Sequence, residues 1–350
     1  MSLDTIDSLP NAGSVERWTR SSRMAVWGSM IVLVGLAFVP AAFGAGAVDR
    51  MTALFIYVIM AAMWNALAGF GGLVSVGQQV FFGLGAYFTV RLADKGVDPF
   101  FSIVLAGVIV AAISYPLSFA MLRLKGGEFA IGMWVVSALT HLLVNLDGLI
   151  KGETGTSLIS LNAYASGDRR AIIFWLALAA MAAILASLFV LLRSKTGAAI
   201  QAIRDNEEAA QALGVNVMGT KRLLFVLAAA GIGIAGALWL ASATSFQPKT
   251  YFSVQWTAYM IFMVLVGGIG TFEGAILGAL IFFVIETWFG SLGVWYLIGL
   301  GLVALIFSLF LPRGLWGAIE NRFGISLMPV GYRLNLPAKI TKEKAQRQGE

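Results

Sequence analysis

The side chains that could do chemistry are few in this chain and stand far apart. Asp147, Lys151 and Glu153 share one short polar stretch. Hydrolysis or group transfer would need an acid, a base and a nucleophile that converge, and any polar loop produces spacing of this kind. A second set lies inside apolar runs: Asn65, Gln78, Gln79, Thr140, His141, Asn145 and Glu286. An ionisable group at membrane depth is a functional candidate by default. Glu286, however, falls near the end of its run, within reach of water, and His141 reads first as a hydrogen-bonded structural histidine. Gln78 or Gln79 could hydrogen-bond a passing solute. The third set is the run "RDNEEAAQALGVN", residues 204–216, where Arg204, Asp205, Glu207 and Glu208 put four charges into five positions.

What is missing narrows the chemistry further. There is no cysteine, which excludes disulfides, thiolate-bound zinc, iron–sulfur clusters and thiol catalysis. His141 is the single histidine, so no multi-histidine metal site exists. No G-x-x-x-x-G-K-[ST] stretch occurs, so the chain has no phosphate-binding loop of that kind. Basic residues are nowhere interleaved with aromatics as nucleic-acid binding would require.

The elements that must position these residues follow from composition. Of 350 residues 59% are hydrophobic and 12% charged, and a soluble core that apolar could not be covered by polar surface. The excess is spread over runs of roughly 18 to 23 residues, the length of a helix that crosses hydrocarbon. The expected fold is all-α, a polytopic membrane protein of about ten transmembrane helices: 24–43, 51–69, 73–92, 100–122, 128–146, 171–192, 221–243, 255–270, 274–290 and 293–311. The first run is too long for a cleaved signal peptide and reads as a retained span. Basic residues before the first span, after the fourth and sixth, and throughout the tail all fall on one side if the count is ten, which makes that side cytoplasmic. The expected organisation is a cytoplasmic segment over 1–23, a transmembrane unit over 24–311 with a cytoplasmic loop at 193–220, and a basic cytoplasmic tail over 312–350. The loop at about 147–170 on the outer side, rich in Gly, Ser and Thr, reads as irregular and exposed.

Glycine carries a message of its own. "GFGGLVSVGQQVFFGLG" puts Gly69, Gly71, Gly72, Gly77, Gly83 and Gly85 into one would-be span, each costing up to about 1 kcal/mol relative to alanine in a helix. Broken backbone at membrane depth is tolerated where protein or a watery cavity surrounds it, and transporters use such breaks to aim helix ends at polar solutes. Close packing of helices through small residues is the equal alternative. "GGLVSVGQ" and "GGIGTFEG" share a double glycine in the two halves of the chain, a faint sign of an internal repeat.

The charged run lies within "KTGAAIQAIRDNEEAAQALGVN", expected as one helix ended by Gly214, with Ile200, Ile203, Ala210 and Leu213 as a narrow apolar stripe. Glu208-Ala209-Ala210 followed by Gly214 is the order E-A-A-x-x-x-G, which resembles the cytoplasmic coupling loop of bacterial ABC importer permeases. Four stretches, at 64–89, 197–229, 266–286 and 311–317, resemble one family in that group, the branched-chain amino-acid ABC transporter permeases; together they cover about 64–317. "EFAIGMWVVSALTHLLVN" and the outer "GETGTSLIS" depart from that pattern and leave the solute open.

The resemblance implies a permease that is not itself an enzyme and carries no cofactor, with ATP and magnesium held by two cytoplasmic ATP-binding subunits. It also implies a second homologous permease subunit, a periplasmic solute-binding protein, membrane lipids around the spans, no nucleic acid, and a place in the inner membrane with both termini cytoplasmic. Arg204, Glu207, Glu208, Ala209, Ala210 and Gly214 are then the coupling residues. Asn65, Ser75, Gln78, Gln79, Thr140 and His141 are candidates for the translocation path, and Gly71, Gly72, Gly77, Gly267, Gly268 and Gly270 are structural. The solute expected first is a branched-chain or other amino acid, with urea or short amides second. An ion-coupled secondary transporter would need mid-membrane carboxylates, and these are nearly absent.

Overall fold

A backbone with no water around it must close its own hydrogen bonds, so a chain this apolar becomes helix wherever glycine and proline permit. The computed structural model describes residues 14–16, 20–323, 327–328 and 333–335. In order the helices are α1 (Arg20–Ala37), α2 (Val39–Ala42), α3 (Ala45–Asn65, continued by a π-helical turn over Ala66–Phe70), α4 (Gln79–Asp94), α5 (Pro99–Met121), α6 (Gly126–Asn145), α7 (Ser166–Arg193), α8 (Lys195–Asp205) and α9 (Glu207–Ala212). They continue with α10 (Val217–Ala243), α11 (Pro248–Tyr251), α12 (Val254–Gly267), α13 (Phe272–Phe289), α14 (Val294–Phe310) and α15 (Gly314–Phe323). Short antiparallel pairs join β1 (Ser14–Glu16) to β4 (Arg333–Asn335) and β2 (Thr156–Ser157) to β3 (Ser245–Phe246).

Eight stretches among the described residues are long and apolar enough to span a membrane, which makes this a multi-pass helical membrane protein. The other two expected spans are shorter helices. The apolar part of the first is Met24–Ala37, and Pro40 then sits in the separate turn of α2. The span expected over 73–92 is unwound in its first part, and α4 starts only at Gln79. Most of the expected N-terminal segment and basic tail lies outside the described residues.

α3 is the central post, buried along nearly its whole length, with α7, α10, α12 and one side of α13 packed against it, whereas α6, α14 and the rest of α13 are largely exposed. Two ends of the bundle can be told apart. At one end lie α8 and α9, the last turn of α3, and the close of α5, where Arg222 Nε donates to Ser118 Oγ at 3.2 Å. At the other, Arg170 pairs with Asp49 at 3.2 Å and Arg91 with Asp147 at 2.6 Å. Trp175 Nε1, early in α7, donates to Ala37 O at this far end, so α1 begins at the α8–α9 end.

Two sequence expectations are corrected. The charged loop is two helices, not one: Asn206, at φ −158° and ψ 106°, ends α8 and starts α9, its Oδ1 accepting from Ala209 N at 2.9 Å. An asparagine side chain that offers the backbone an alternative partner breaks a helix where it caps the next. The stripe accordingly fails at its end: Ile200, Ile203 and Ala210 are buried, but Leu213 is 85% exposed. The far-end loop is also less open than its composition suggests. Ile150, Leu158 and Leu161 are buried, anchoring it over the helix ends, and β2 pairs with β3 across it.

Candidate functional site

The α8–α9 loop is held from below and open above. Ser194 Oγ caps α8 at Gly197 N, and Ile200 and Ile203 bury its inner face. α9 begins with Glu207 and Glu208, acids placed where the helix dipole favours them. Glu207 turns inward and accepts from Lys221 Nζ at 2.7 Å, a lysine only 9% exposed on α10. Ala210 is buried beside Val217. Glu208, Ala209, Gln211, Ala212 and Leu213 form the outward face, and Glu208 makes no ion pair or hydrogen bond among the described residues. Gly214 closes the helix at φ +83°, the left-handed position that glycine accepts without strain.

Arg204 does not share that outward face. Its Nη1 donates to Gly69 O at 3.1 Å, while Nε and Nη2 hold Asp205 Oδ1 at 3.0 and 2.9 Å. Its stem lies against Gly72, where an added Cβ would sit 3.2 Å from Arg204 Cγ, and its Nη1 lies close to Gly270. Asn65 completes the junction: Oδ1 accepts from Gly270 N and Nδ2 donates to Thr271 O, both at 2.8 Å. The two glycine-rich stretches that share a double glycine in sequence thus meet in space, and an added Cβ on Gly69 would collide with Asn65 Oδ1 and lie 2.5 Å from Gly270 N.

The predicted glycines distribute along this junction. Gly71 lies under Leu224, Gly77 lies on the backbone of α6 at Met133, and Gly267 lies on α13 at Gly274. Gly268, at φ +138°, backs onto the 313–314 turn that starts α15. The backbone is thus unwound over Gly71–Gln78, and the glycines at the junction are also tightly packed.

Of the candidate path residues, Ser75 and Gln78 sit on that unwound stretch and Gln79 opens α4. Ser75 Oγ accepts from Gly77 N, and Ser75 O accepts from Trp64 Nε1 at 3.0 Å. Gln79 is bound to Thr257 of α12, through its side-chain oxygen and its backbone N–H. Gln78 is fully buried, yet neither atom of its carboxamide has a partner among the described residues. Such a group is costly to bury unsatisfied, by about 1–3 kcal/mol, and marks a place where a polar ligand or water is wanted. Asn65 is fully spent on backbone.

Thr140 and His141 stand elsewhere, two turns or roughly 10 Å further along α6 than the Gly77 contact at Met133. Thr140 Oγ1 bonds back to Val136 O. His141 Nε2 lies 2.8 Å from Glu153 Oε1, and its ring stacks on Phe252. Glu153 also accepts from Asn145 Nδ2 and Lys249 N. Burial alone would raise its pKa; the Asn145 hydrogen bond, His141 and the Lys249 N–H outweigh that and hold it below the ordinary carboxylate value. The structure does not bring these two residues together with Gln78.

Sequence reasoning missed Trp64 and Thr257. Thr257 had a signal, being a polar residue within an apolar run, whereas Trp64 and the inward turn of Arg204 had none, since their partners are set by the fold.

The family described as branched-chain amino acid transport system, permease component, matches residues 46–311. The chain is 28% identical over 316 residues to the high-affinity branched-chain amino acid transport system permease protein LivM of Salmonella typhimurium, covering 82% of this chain and 73% of that one. Its likeness to LivM of Escherichia coli is also 28%, over 77% of this chain and 70% of that one. The inner membrane ABC transporter permease protein YjfF of Escherichia coli is 24% identical over 77% and 83% of the two chains. A solved ABC transporter in an inward-facing conformation aligns with a TM-score of 0.49 and 16% identity, over 86% of this chain and 100% of that chain.

Proposed function

The chain belongs to the branched-chain amino acid transport permease family, and from that premise we propose that it is one membrane-spanning subunit of an ABC importer in the inner membrane. It passes a branched-chain or other amino acid, driven by ATP that two partner subunits bind with magnesium and hydrolyse. A second homologous permease completes the membrane part, and a periplasmic binding protein delivers the solute. The distribution of basic residues puts both termini and the α8–α9 loop in the cytoplasm. In this organisation residues 24–311 are the transport unit and 312–350 a cytoplasmic tail.

The observation that carries this reading is the division of the α8–α9 loop into two faces. Glu208, Ala209, Gln211 and Leu213 are exposed and unengaged at the end of the bundle, as a surface that docks into a partner would be. Glu207 and Arg204 tie the same loop inward to α10 and to the broken end of α3. Movement of the docked face would reach Gly69 through Arg204, and through Asn65 the 270–271 turn.

Glu208→Arg reverses the charge of the docking face and leaves every inward contact in place. The expected result is loss of ATP-dependent uptake, and of co-purification with the ATP-hydrolysing subunit, with the variant present in the membrane at normal level. Uptake at the parental rate would remove the coupling role.

A further inference from the structure

At the end opposite α8–α9, the helices diverge around an open cavity of about 600 Å³. Its walls come from the starts of α3, α12 and α14 and the ends of α10 and α13, and include Arg50, Tyr57, Trp239, Tyr259, Glu286 and Tyr296. The volume falls within the usual range of small-molecule pockets. Two of these side chains carry opposite charges, and neither makes an ion pair or hydrogen bond among the described residues. The remaining four are aromatic and stand in two pairs: Tyr57 lies 5.9 Å from Trp239 and Tyr259 lies 6.4 Å from Tyr296, centroid to centroid. None of the path candidates named from sequence lies on this cavity.

A half-buried carboxylate left without a counter-ion is unfavourable in a membrane protein. An arginine facing the same space supplies the opposite sign, but the two do not close on each other. An arginine fork matches a carboxylate; a carboxylate beside aromatic faces matches an ammonium group, through charge and through the ring quadrupoles; the rings accept an apolar side chain. Those three demands describe one ligand class. We propose that this cavity is a reception site for a free zwitterionic α-amino acid with an apolar side chain, its carboxylate on Arg50, its ammonium on Glu286 and its side chain against Tyr57, Trp239 and Tyr259. The proposal rests on the importer reading for its purpose and locates where the solute first meets the membrane subunit. A zwitterionic lipid headgroup has the same two charges and is the competing source.

The test is equilibrium binding of radiolabelled L-leucine to the full-length chain, in nanodiscs made only of phosphatidylglycerol so that no zwitterionic headgroup is present. Saturable binding is expected, weakened about tenfold or more by Glu286→Gln and by Arg50→Gln, as for loss of a hydrogen bond to a charged group. The losses should be selective: Glu286→Gln discriminates less against 4-methylpentanoate, which has no ammonium group, and Arg50→Gln discriminates less against leucinamide, which has no carboxylate. Because the chain has no cysteine, Ser291→Cys on the cavity wall gives a second readout that needs neither charge variant, its maleimide labelling slowed by leucine. Absence of saturable binding and of protection overturns the proposal, as does binding indifferent to both charge variants. Displacement by phosphoethanolamine with no effect of leucine assigns the cavity to lipid and overturns it too. ATP-driven uptake at the parental rate in Glu286→Gln and Arg50→Gln would refute the cavity and leave the importer reading standing.

Discussion

Two carboxamides show how one side-chain chemistry serves two ends. Asn65 uses its oxygen on Gly270 N and its nitrogen on Thr271 O, so it is a clamp between the end of α3 and the turn before α13. Gln78 is equally buried, and its carboxamide has no partner among the described residues. Removing a satisfied amide strands the groups it served, at about 1–3 kcal/mol each, whereas replacing an unsatisfied one by an apolar group of similar shape is near neutral or stabilising. Asn65→Leu should therefore lower the melting temperature in detergent, and Gln78→Leu should leave it unchanged or raise it while reducing uptake. Parental uptake in Gln78→Leu would take that residue off the path.

At the scale of elements, the α8–α9 loop depends on a pair that crosses to α10. Lys221 is nearly buried and Glu207 is partly exposed, with 2.7 Å between them. Removing one partner leaves the other charge uncompensated in a poorly hydrated place, which should loosen α9 while the spanning helices stay folded. Lys221→Met is expected to impair uptake and to speed proteolytic cleavage within 205–216. The exchange Lys221→Glu with Glu207→Lys should recover part of both losses. No recovery in the double variant would mean that the pair acts through packing alone. Asn206 sets this geometry: by ending one helix and capping the next, it directs Arg204 and Glu207 inward and leaves Glu208 and Leu213 outside.

For the molecule as a whole, the core is backbone laid on backbone. An added Cβ on Gly85 would strike Gly233 O on α10, and one on Gly236 would strike Phe82 O on α4. Small residues at such crossings allow the close approach from which membrane helices draw their packing energy. The contrast with the periphery is plain, since α14 buries only Tyr296 and Leu300. Gly236→Val should force α4 and α10 apart and cut the yield of folded protein, whereas Gly299→Val on α14, where no atom lies within 4 Å of the added Cβ, should be tolerated. Equal yields, read by size-exclusion profile, would contradict the packing argument.

Hydropathy and charge on their own determined the class of fold, the number of crossings to within two, and the position of the charged loop. Those features follow from transfer of single residues between water and hydrocarbon, which is a property of composition over a window. Gly214 as a helix end was legible for the same local reason, and four stretches, the run around Glu208 among them, carried the resemblance to the family. Tertiary structure alone decided which way each charge turns. Arg204 and Glu208 are four residues apart in one polar run, and only the location of Gly69, 135 positions away from Arg204, draws one inward and leaves the other free. The break at Asn206, the meeting of the two glycine-rich turns and the cavity between Arg50 and Glu286 likewise depend on elements distant in sequence. Their partners are chosen by how helices pack, and no local pattern records that choice.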